Sequence, residues 1–227
     1  MNKTLDFERK TKELIDDLKS VCAQYGLGND GNEFKIITQT FLYKFLNDKF
    51  AYEVKQLEPK IAKAESWEAE LKKLKKKDYE MLLMQLSEST ARLWPEHFIS
   101  TLYEKQNSDK FSELFDNTLL AIAKENSDIF SVLTDGGEKI MLFENISKYV
   151  IDKRDEFCKA IINKLVNFSF EHIFTEKFDF FATIFEYLIK DYNTNSGGKY
   201  AEYFTPHAVA KIMAACLNRK SKKCDLL

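Results

Sequence analysis

Residues that interrupt regular backbone structure are scarce in this sequence. Only seven glycines and three prolines occur among 227 residues, and the glycines fall in three short stretches. A sheet of many strands needs a turn every few residues, whereas long helices need few. With 44% hydrophobic residues the chain can bury a core, which its 19 phenylalanines should dominate. We therefore predict a mainly α fold with a Phe-rich core.

The N-terminal region predicts two helices separated by a glycine-containing turn. The first runs from about residue 6 to residue 25, because apolar residues recur there on one face. Residues 26–31 end it, and Asn32 is the predicted N-cap of the second helix. We interpret the broad apolar stripe of that second helix as packing at the centre of the core, not as a ligand site: Phe34, Ile37, Thr38, Phe41, Leu42, Phe45 and Leu46.

The stretch from residue 51 to residue 79 is richer in charge. Pro59 either opens a helix at its first turn or kinks a longer one. Lysines between residues 72 and 77 form a basic cluster, but nearby acidic residues nearly balance it, so we favour a solvated helix face over DNA contact. Apolar residues in this stretch have the spacing of a narrow helix–helix seam: Leu57, Ile61, Ala64, Leu71 and Leu74.

Further helices are predicted at about residues 110–126 and 151–168. A junction precedes them at Trp94, because proline at position 95 disfavours helix for the residue before it. Residues 134–137 form a clear turn. Residues 141–143 fit either a strand or a helix, and we predict a helix.

Charge and potential ligand residues exclude several classes of protein. The net charge of −2 gives no general attraction to DNA, so such contact needs a local patch or a partner subunit. The charged N-terminus and the lack of a ~20-residue apolar run predict a cytoplasmic protein that does not enter the membrane. Neither the histidines nor the cysteines have metal-ligand spacing, so we predict no metal site and buried, reduced thiols. These residues are His97, His172, His207, Cys22, Cys158, Cys216 and Cys224.

A stretch near the C-terminus combines a glycine-containing loop, an aromatic pair and a helix start. Thr205 can accept a hydrogen bond from a first-turn N–H, and Pro206 stands where its missing N–H costs nothing. The N-terminus of such a helix suits a carboxylate or another anionic group. A loop followed by a capped surface helix explains the same pattern without any ligand. A helix is predicted before this stretch, at residues 178–192, and residues 224–227 have the pattern of the first residues of a strand.

Two parts of the chain resemble one family. Residues 186–192, the loop 197–199 and residues 201–206 look like the beginning of the catalytic domain in methylation (M) subunits of type I restriction–modification systems. Residues 33–35 and 41–48 are similar to the first core helix of the N-terminal domain in the same family. These proteins are adenine-N6 DNA methyltransferases that use S-adenosylmethionine.

The resemblance implies a domain organisation. Residues 1–170 would form a multi-helix domain, and residues 171–227 would be the opening helix and first strand residues of a truncated α/β methyltransferase domain. Family members continue into a glycine-rich loop and an Asn-Pro-Pro motif, which do not occur in these 227 residues. We therefore expect this chain alone to be inactive.

The resemblance also implies a cofactor site but no catalytic residue in this chain. The site residues would lie against the methionine end of S-adenosylmethionine, with the helix N-terminus after Thr205 facing its carboxylate. An arginine commonly follows the Thr-Pro pair in the family, and His207 stands there in this sequence. The implied cofactor-binding residues are Glu202, Tyr203, Phe204, Thr205, Pro206 and His207.

The implied partners are the specificity (S) subunit and DNA, with the restriction (R) subunit in the full complex. The helical domain would pack against the specificity subunit, and the seam from Leu57 to Leu74 is a candidate docking face if it is not internal. The alternative function is a free-standing helical interaction module without a cofactor. A gene that continues into a glycine-rich loop and an Asn-Pro-Pro motif would favour the first function over the second.

Overall fold

The prediction of a mainly α chain is confirmed. The structure is a computed structural model that describes residues 3–28, 31–133 and 136–174 together with positions 209 and 213. The chain divides into two compact units, Met1–Phe178 and Asp179–Leu227, and we call the first of them the helical unit. The described residues contain eight α-helices, three short 3-10 turns and one pair of very short strands.

The first predicted helix is confirmed, and it ends in the glycine-containing turn that the sequence predicts. Helix α1 spans Lys3–Gln24. Gly26 follows with φ of 80°, a conformation that glycine adopts without steric cost. The Gly26 N–H donates to the Ala23 carbonyl at 3.1 Å and the Leu27 N–H to the Cys22 carbonyl at 2.9 Å. These two bonds satisfy carbonyls at the end of the helix and turn the chain toward the next one.

Helix α2 spans Gly31–Leu57 and is the central helix of the fold. It begins one residue before the predicted cap Asn32, which is therefore inside the helix. The predicted stripe is buried only in part, and other faces of the helix are buried as well. Its buried residues include several that lie outside the predicted stripe: Glu33, Ile36, Thr40, Tyr43, Lys44, Asn47, Asp48, Phe50, Ala51 and Val54.

Three short helices follow where the sequence predicted a seam. Helices α3, α4 and α5 span Pro59–Ala62, Trp67–Lys72 and Lys76–Gln85. Pro59 opens a helix at its first turn, which settles the two alternatives for this residue. The Ser66 side chain accepts the Ala69 N–H at 3.2 Å and starts α4.

The seam residues do not form one exposed face. Ile61 and Leu71 are buried, while Leu57 and Leu74 are more than a third exposed. Most lysines of the basic cluster face neighbouring carboxylates: Lys72 lies 3.4 Å from Glu104, Lys73 lies 2.5 Å from Glu70, and Lys76 lies 4.0 Å from Glu80. This pairing agrees with a solvated helix face.

The later predicted helices are also confirmed. They are α7, which spans Phe111–Glu125, and α8, which spans Arg154–Val166. Helix α6, which spans Ile99–Glu104, was not predicted. The predicted junction at Trp94 has extended backbone, and a 3-10 turn follows it at Pro95–His97. Helix α8 packs against α1, α6 and α7, and it also contacts α2.

The predicted helix at residues 141–143 is wrong. Strands β1 (Val132–Leu133) and β2 (Lys139–Ile140) form an antiparallel pair instead, with Gly137 at φ of 80° in the turn between them. The chain then continues as an irregular loop. Its backbone N–H groups bond to side chains of distant helices, as Glu144 N–H does to Gln39 Oε1 at 2.8 Å. Those bonds replace the i→i−4 bonds that a helix would make.

The core of the helical unit is rich in phenylalanine, as predicted. Burying one such side chain stabilises a fold by roughly 1.5–3 kcal/mol. Cys22 and Cys158 are buried free thiols, also as predicted. Within the described residues no helix has the length and apolar character that crossing a bilayer requires. The largest fully buried aromatic side chains are Tyr43, Phe50, Phe98, Phe111, Phe115, Phe143, Phe157 and Phe170.

Candidate functional site

The six predicted cofactor-binding residues, 202–207, lie outside the described residues. The predicted helix at 178–192 and the predicted strand residues 224–227 lie outside them too. Val209 and Met213, which belong to the helix predicted after Thr205, are both helical. Their side chains are 45% and 55% exposed. A helix after the Thr-Pro pair is thus confirmed at these two positions.

The last described segment before the predicted cofactor residues is Phe168–Phe174, which we call the exit segment. It follows helix α8 and contains a 3-10 turn at Glu171–Ile173. Phe170 is fully buried, and its backbone N–H donates to Asp48 Oδ2 at 2.7 Å. A carboxylate of the central helix therefore holds the backbone of the exit segment.

Asp48 is part of a buried polar cluster on α2. Lys44 Nζ lies 2.9 Å from Asp48 Oδ1, and each of these side chains is only 7% exposed. Asn47 Nδ2 donates to Asp48 Oδ1 at 3.1 Å, while Asn47 Oδ1 accepts the Ile99 N–H at 3.2 Å. The cluster therefore joins three parts of the fold: α2, the start of α6 and the exit segment.

The electrostatics of Asp48 are a balance between burial and its partners. Burial raises the pKa of the Asp48 carboxyl, and this is the dominant cause. The Lys44 ammonium and the hydrogen bonds from Phe170 and Asn47 oppose the rise. A buried carboxylate is tolerated only where such partners compensate its lost hydration.

Aromatic side chains hold the exit segment as well. The Phe170 ring lies 5.0 Å from Phe41 and 4.7 Å from Phe168, both edge to face. The Phe174 ring lies 5.2 Å from Phe45 and 5.4 Å from Tyr52. Edge-to-face pairs at these distances are favourable beyond the area they bury. The middle and the C-terminal end of the exit segment therefore pack on α2.

An ion pair between Lys55 and Glu171 adds a more exposed contact between α2 and the exit segment. Its side chains are 26% and 38% exposed, so solvent screens it and it contributes less than the buried cluster.

Sequence reasoning missed the polar cluster because it interpreted this helix only through its apolar stripe from Phe34 to Leu46. A signal was present: Lys44 and Asp48 carry opposite charges four residues apart within an otherwise apolar helical stretch. Charged residues at such positions are rarely buried unless they are paired. Their distant partner, the Phe170 backbone, has no signal in the sequence.

Other polar residues of the helical unit also act on backbone groups. Asp116 accepts the N–H groups of Ile146 and Ser147 at 3.0 and 3.2 Å. His97 is buried, and its Nδ1 accepts the Trp94 N–H at 3.2 Å. Burial lowers the pKa of the His97 imidazole. These contacts fix loops; they do not assemble a nucleophile with a base.

The comparison with protein families gives the most direct indication of function. Residues 176–225 match the family model described as N-6 DNA Methylase. No curated protein and no solved structure matches this chain. The match begins just after the exit segment and contains all six predicted cofactor residues. The C-terminal part of the chain is therefore similar to N-6 DNA methylases.

Proposed function

We propose that this chain is the N-terminal part of the DNA-modification (M) subunit of a type I restriction–modification system. The subunit transfers a methyl group from S-adenosylmethionine to adenine N6 in DNA. The observation that carries the proposal is the match of residues 176–225 to N-6 DNA methylases. The helical unit supports it, because the proposed subunit has a multi-helix domain at this position in its chain.

The side chains of residues 202–207 have the chemistry that the methionine end of S-adenosylmethionine requires. The Glu202 carboxylate suits an ammonium group, and the first N–H groups of the helix predicted after Thr205 suit a carboxylate. Tyr203 and Phe204 supply apolar surface. When bound, the cofactor supplies an electrophilic methyl group. The role of these residues in the proposal is to bind and orient the cofactor, and none of them is a general base.

The proposal places the target adenine and its acceptors outside this chain. An adenine inside a duplex must be flipped out before its amine can react, and the pocket then needs polar acceptors and a stacking face. We assign those groups to a later part of the protein, so this chain alone should not methylate DNA. The proposed partners are DNA, the specificity subunit and the restriction subunit, in the cytoplasm. The net charge of −2 fits a subunit that relies on partners for much of its DNA contact.

Calorimetric binding of S-adenosylmethionine tests the proposal. The protein is this chain extended through about 250 further residues of its gene, the size of an ordinary second domain. We expect binding by the extended chain and a loss of about fivefold or more in affinity for Thr205→Ala and Phe204→Ala, because each removes a contact worth about 1–3 kcal/mol.

Two matched controls separate a local effect from general damage. Ser66→Ala removes the cap of α4, just as Thr205→Ala removes a predicted cap, and Tyr103→Ala removes a partly exposed aromatic ring. Both controls should bind the cofactor like the wild type. If the folded extended chain binds no cofactor, or if the controls weaken binding equally, the assignment fails. A helical interaction module without a cofactor is then the better account.

A further inference from the structure

The buried cluster on α2 is placed where it can act on more than the stability of the helical unit. Asp48 accepts the Phe170 N–H, and the segment that matches N-6 DNA methylases begins at residue 176, shortly beyond Phe170 in the chain. Phe41 and Phe45 would hold the Phe170 ring without any polar contact. The apolar packing therefore does not require a buried carboxylate at position 48.

A buried ion pair often adds little to the net stability of a fold. Replacing such a pair by apolar residues of similar size is often neutral or stabilising, because both charges lose their hydration on burial. Lys44 and Asp48 are nevertheless both 7% exposed and 2.9 Å apart. What the carboxylate provides and an apolar side chain does not is an acceptor for the Phe170 N–H, which fixes one backbone position of the exit segment.

We propose that Asp48 is a positioning residue that fixes the backbone at Phe170. Two properties depend on this contact: the protection of the backbone within residues 176–225 against hydrogen exchange, and methyl transfer by the full-length protein. The proposal rests on the proposed function for its activity readout, but it also predicts an effect on backbone protection that needs no activity. Lys44 balances the charge of Asp48, and Asn47 connects the same carboxylate to the start of α6.

Two double variants separate the acceptor from the charge. In Lys44→Met/Asp48→Asn both charges are lost, but an amide oxygen remains at position 48 to accept the Phe170 N–H. In Lys44→Met/Asp48→Leu both charges and the acceptor are lost. The two variants differ only in the side chain at position 48, and neither leaves an unpaired buried charge.

The first readout is hydrogen exchange in the full-length gene product. We expect the Leu variant to exchange about 5- to 100-fold faster than the Asn variant at Phe168–Phe174, because an unsatisfied buried N–H favours local opening by that factor. We expect faster exchange in peptides from residues 196–213 as well. Equal exchange of the two variants in residues 196–213 overturns the proposal.

The second readout is methyl transfer by the full-length protein with its co-purifying partners. The substrate is amplified host genomic DNA, which lacks methylation and contains every recognition site. We expect kcat to fall at least about fivefold in the Leu variant, because the loss of one buried hydrogen bond has an effect of that size. In the Asn variant kcat should be largely restored. Asp116→Leu is the stability control, since it removes an acceptor from Ile146 and Ser147, far along the chain from Phe170.

The outcomes distinguish the two proposals. A wild type that transfers no methyl group contradicts the proposed function, and the exchange in residues 196–213 then decides the role of Asp48 by itself. An active wild type whose Leu variant has normal kcat overturns the role of Asp48 and leaves the function standing. A loss in Asp116→Leu that equals the loss in the Leu variant, at equal fractions of folded protein, reduces Asp48 to a stabilising residue and overturns the proposal.

Discussion

At the scale of single residues, carboxylates of the helical unit repeatedly accept hydrogen bonds from backbone N–H groups of other segments. Asp48 does so for the exit segment, Asp116 for the loop before α8, and Asp155 for the first turn of α7. Each of these N–H groups lies at a loop or a helix start, where it has no helical partner. The side chains thus complete backbone hydrogen bonding where the helices end.

Asp155 leads to a prediction about pH. Its Oδ1 accepts the Ser112 N–H at 2.8 Å and the Ser112 hydroxyl at 2.5 Å, and the Ser112 hydroxyl is the main reason that the pKa of Asp155 is lowered. A lowered folded-state pKa gives stability that is present above the unfolded value of about 3.9 and is lost as the pH falls through the folded value. Asp155→Ala should lower the free energy of unfolding at pH 7 by about 1 kcal/mol, the size of a lost cap.

Urea unfolding of the wild type and Asp155→Ala between pH 7 and pH 2.5 measures this effect. The stability difference should shrink as the pH falls below about 4. Asp152→Ala is the control, because Asp152 is exposed in the bend before α8 and should change stability by less than about 0.5 kcal/mol. A difference between the wild type and Asp155→Ala that stays constant across this range contradicts the assignment.

The buried thiols give a second prediction at this scale. Burial raises the pKa of Cys22 to about 12 and the pKa of Cys158 well above its usual range. The reactive species is the thiolate, so at pH 8 both thiols should resist alkylation by iodoacetamide in the native protein and react fully in urea. Peptide mass spectrometry reads each site separately. Rapid native labelling of either thiol would contradict its burial.

At the scale of elements, α2 organises the helical unit. Phe50 on this helix is fully buried, and its ring lies 6.2 Å from Trp67 of α4 and 5.7 Å from Phe98, which precedes α6. One side chain thus joins three parts of the fold. If this ring were removed, the resulting cavity could close only by movement of α2, α4 or the start of α6.

Phe50→Ala should therefore lower the free energy of unfolding by about 3–5 kcal/mol, the usual cost of removing a buried phenylalanine. Met84→Ala on α5 should cost little, because Met84 is 82% exposed. Denaturant unfolding followed by circular dichroism compares the two. A cost below about 1 kcal/mol for Phe50→Ala would mean that α2 is not the centre of the core.

Most helices could be predicted from the sequence because their signals are local. The spacing of apolar residues located α1, α7 and α8 to within a few residues, and the turn chemistry of Gly26 marked the end of α1 correctly. For Pro59 the sequence left two alternatives open, and the structure decides between them. The loop at 141–143 could not be predicted in this way. Its form depends on hydrogen bonds that the N–H groups of Glu144 and Ile146 donate to Gln39 and Asp116, which lie in distant parts of the sequence.

At the scale of the whole molecule, the two kinds of functional signal differ in origin. The cofactor residues 202–207 were predicted from a short motif, and the match at 176–225 contains them, but their geometry lies outside the described residues. The contact between Asp48 and the exit segment is visible only in three dimensions. The partner of Asp48, Phe170, is 122 residues away in sequence and contributes only its backbone, so no pattern of residue types connects them.

The sequence predicts a domain boundary near residue 170, whereas the two compact units of the structure divide between Phe178 and Asp179. Phe170 is fully buried and Ile173 is 9% exposed, so the core of the helical unit continues past residue 170. A fragment that ends at Phe168 loses both side chains and the bond to Asp48. We expect a fragment ending at Phe178 to unfold cooperatively and to be more stable by at least about 3 kcal/mol, since each buried apolar side chain contributes roughly 1.5–3 kcal/mol.

Urea unfolding of the two fragments makes the comparison. A third fragment that ends at Phe178 and carries Phe170→Ala is the matched control, because it keeps the chain length and removes one buried ring. It should lie between the other two in stability. If the fragment ending at Phe168 is as stable as the longer one, the exit segment does not belong to the helical core, and the positioning role of Asp48 loses its structural basis.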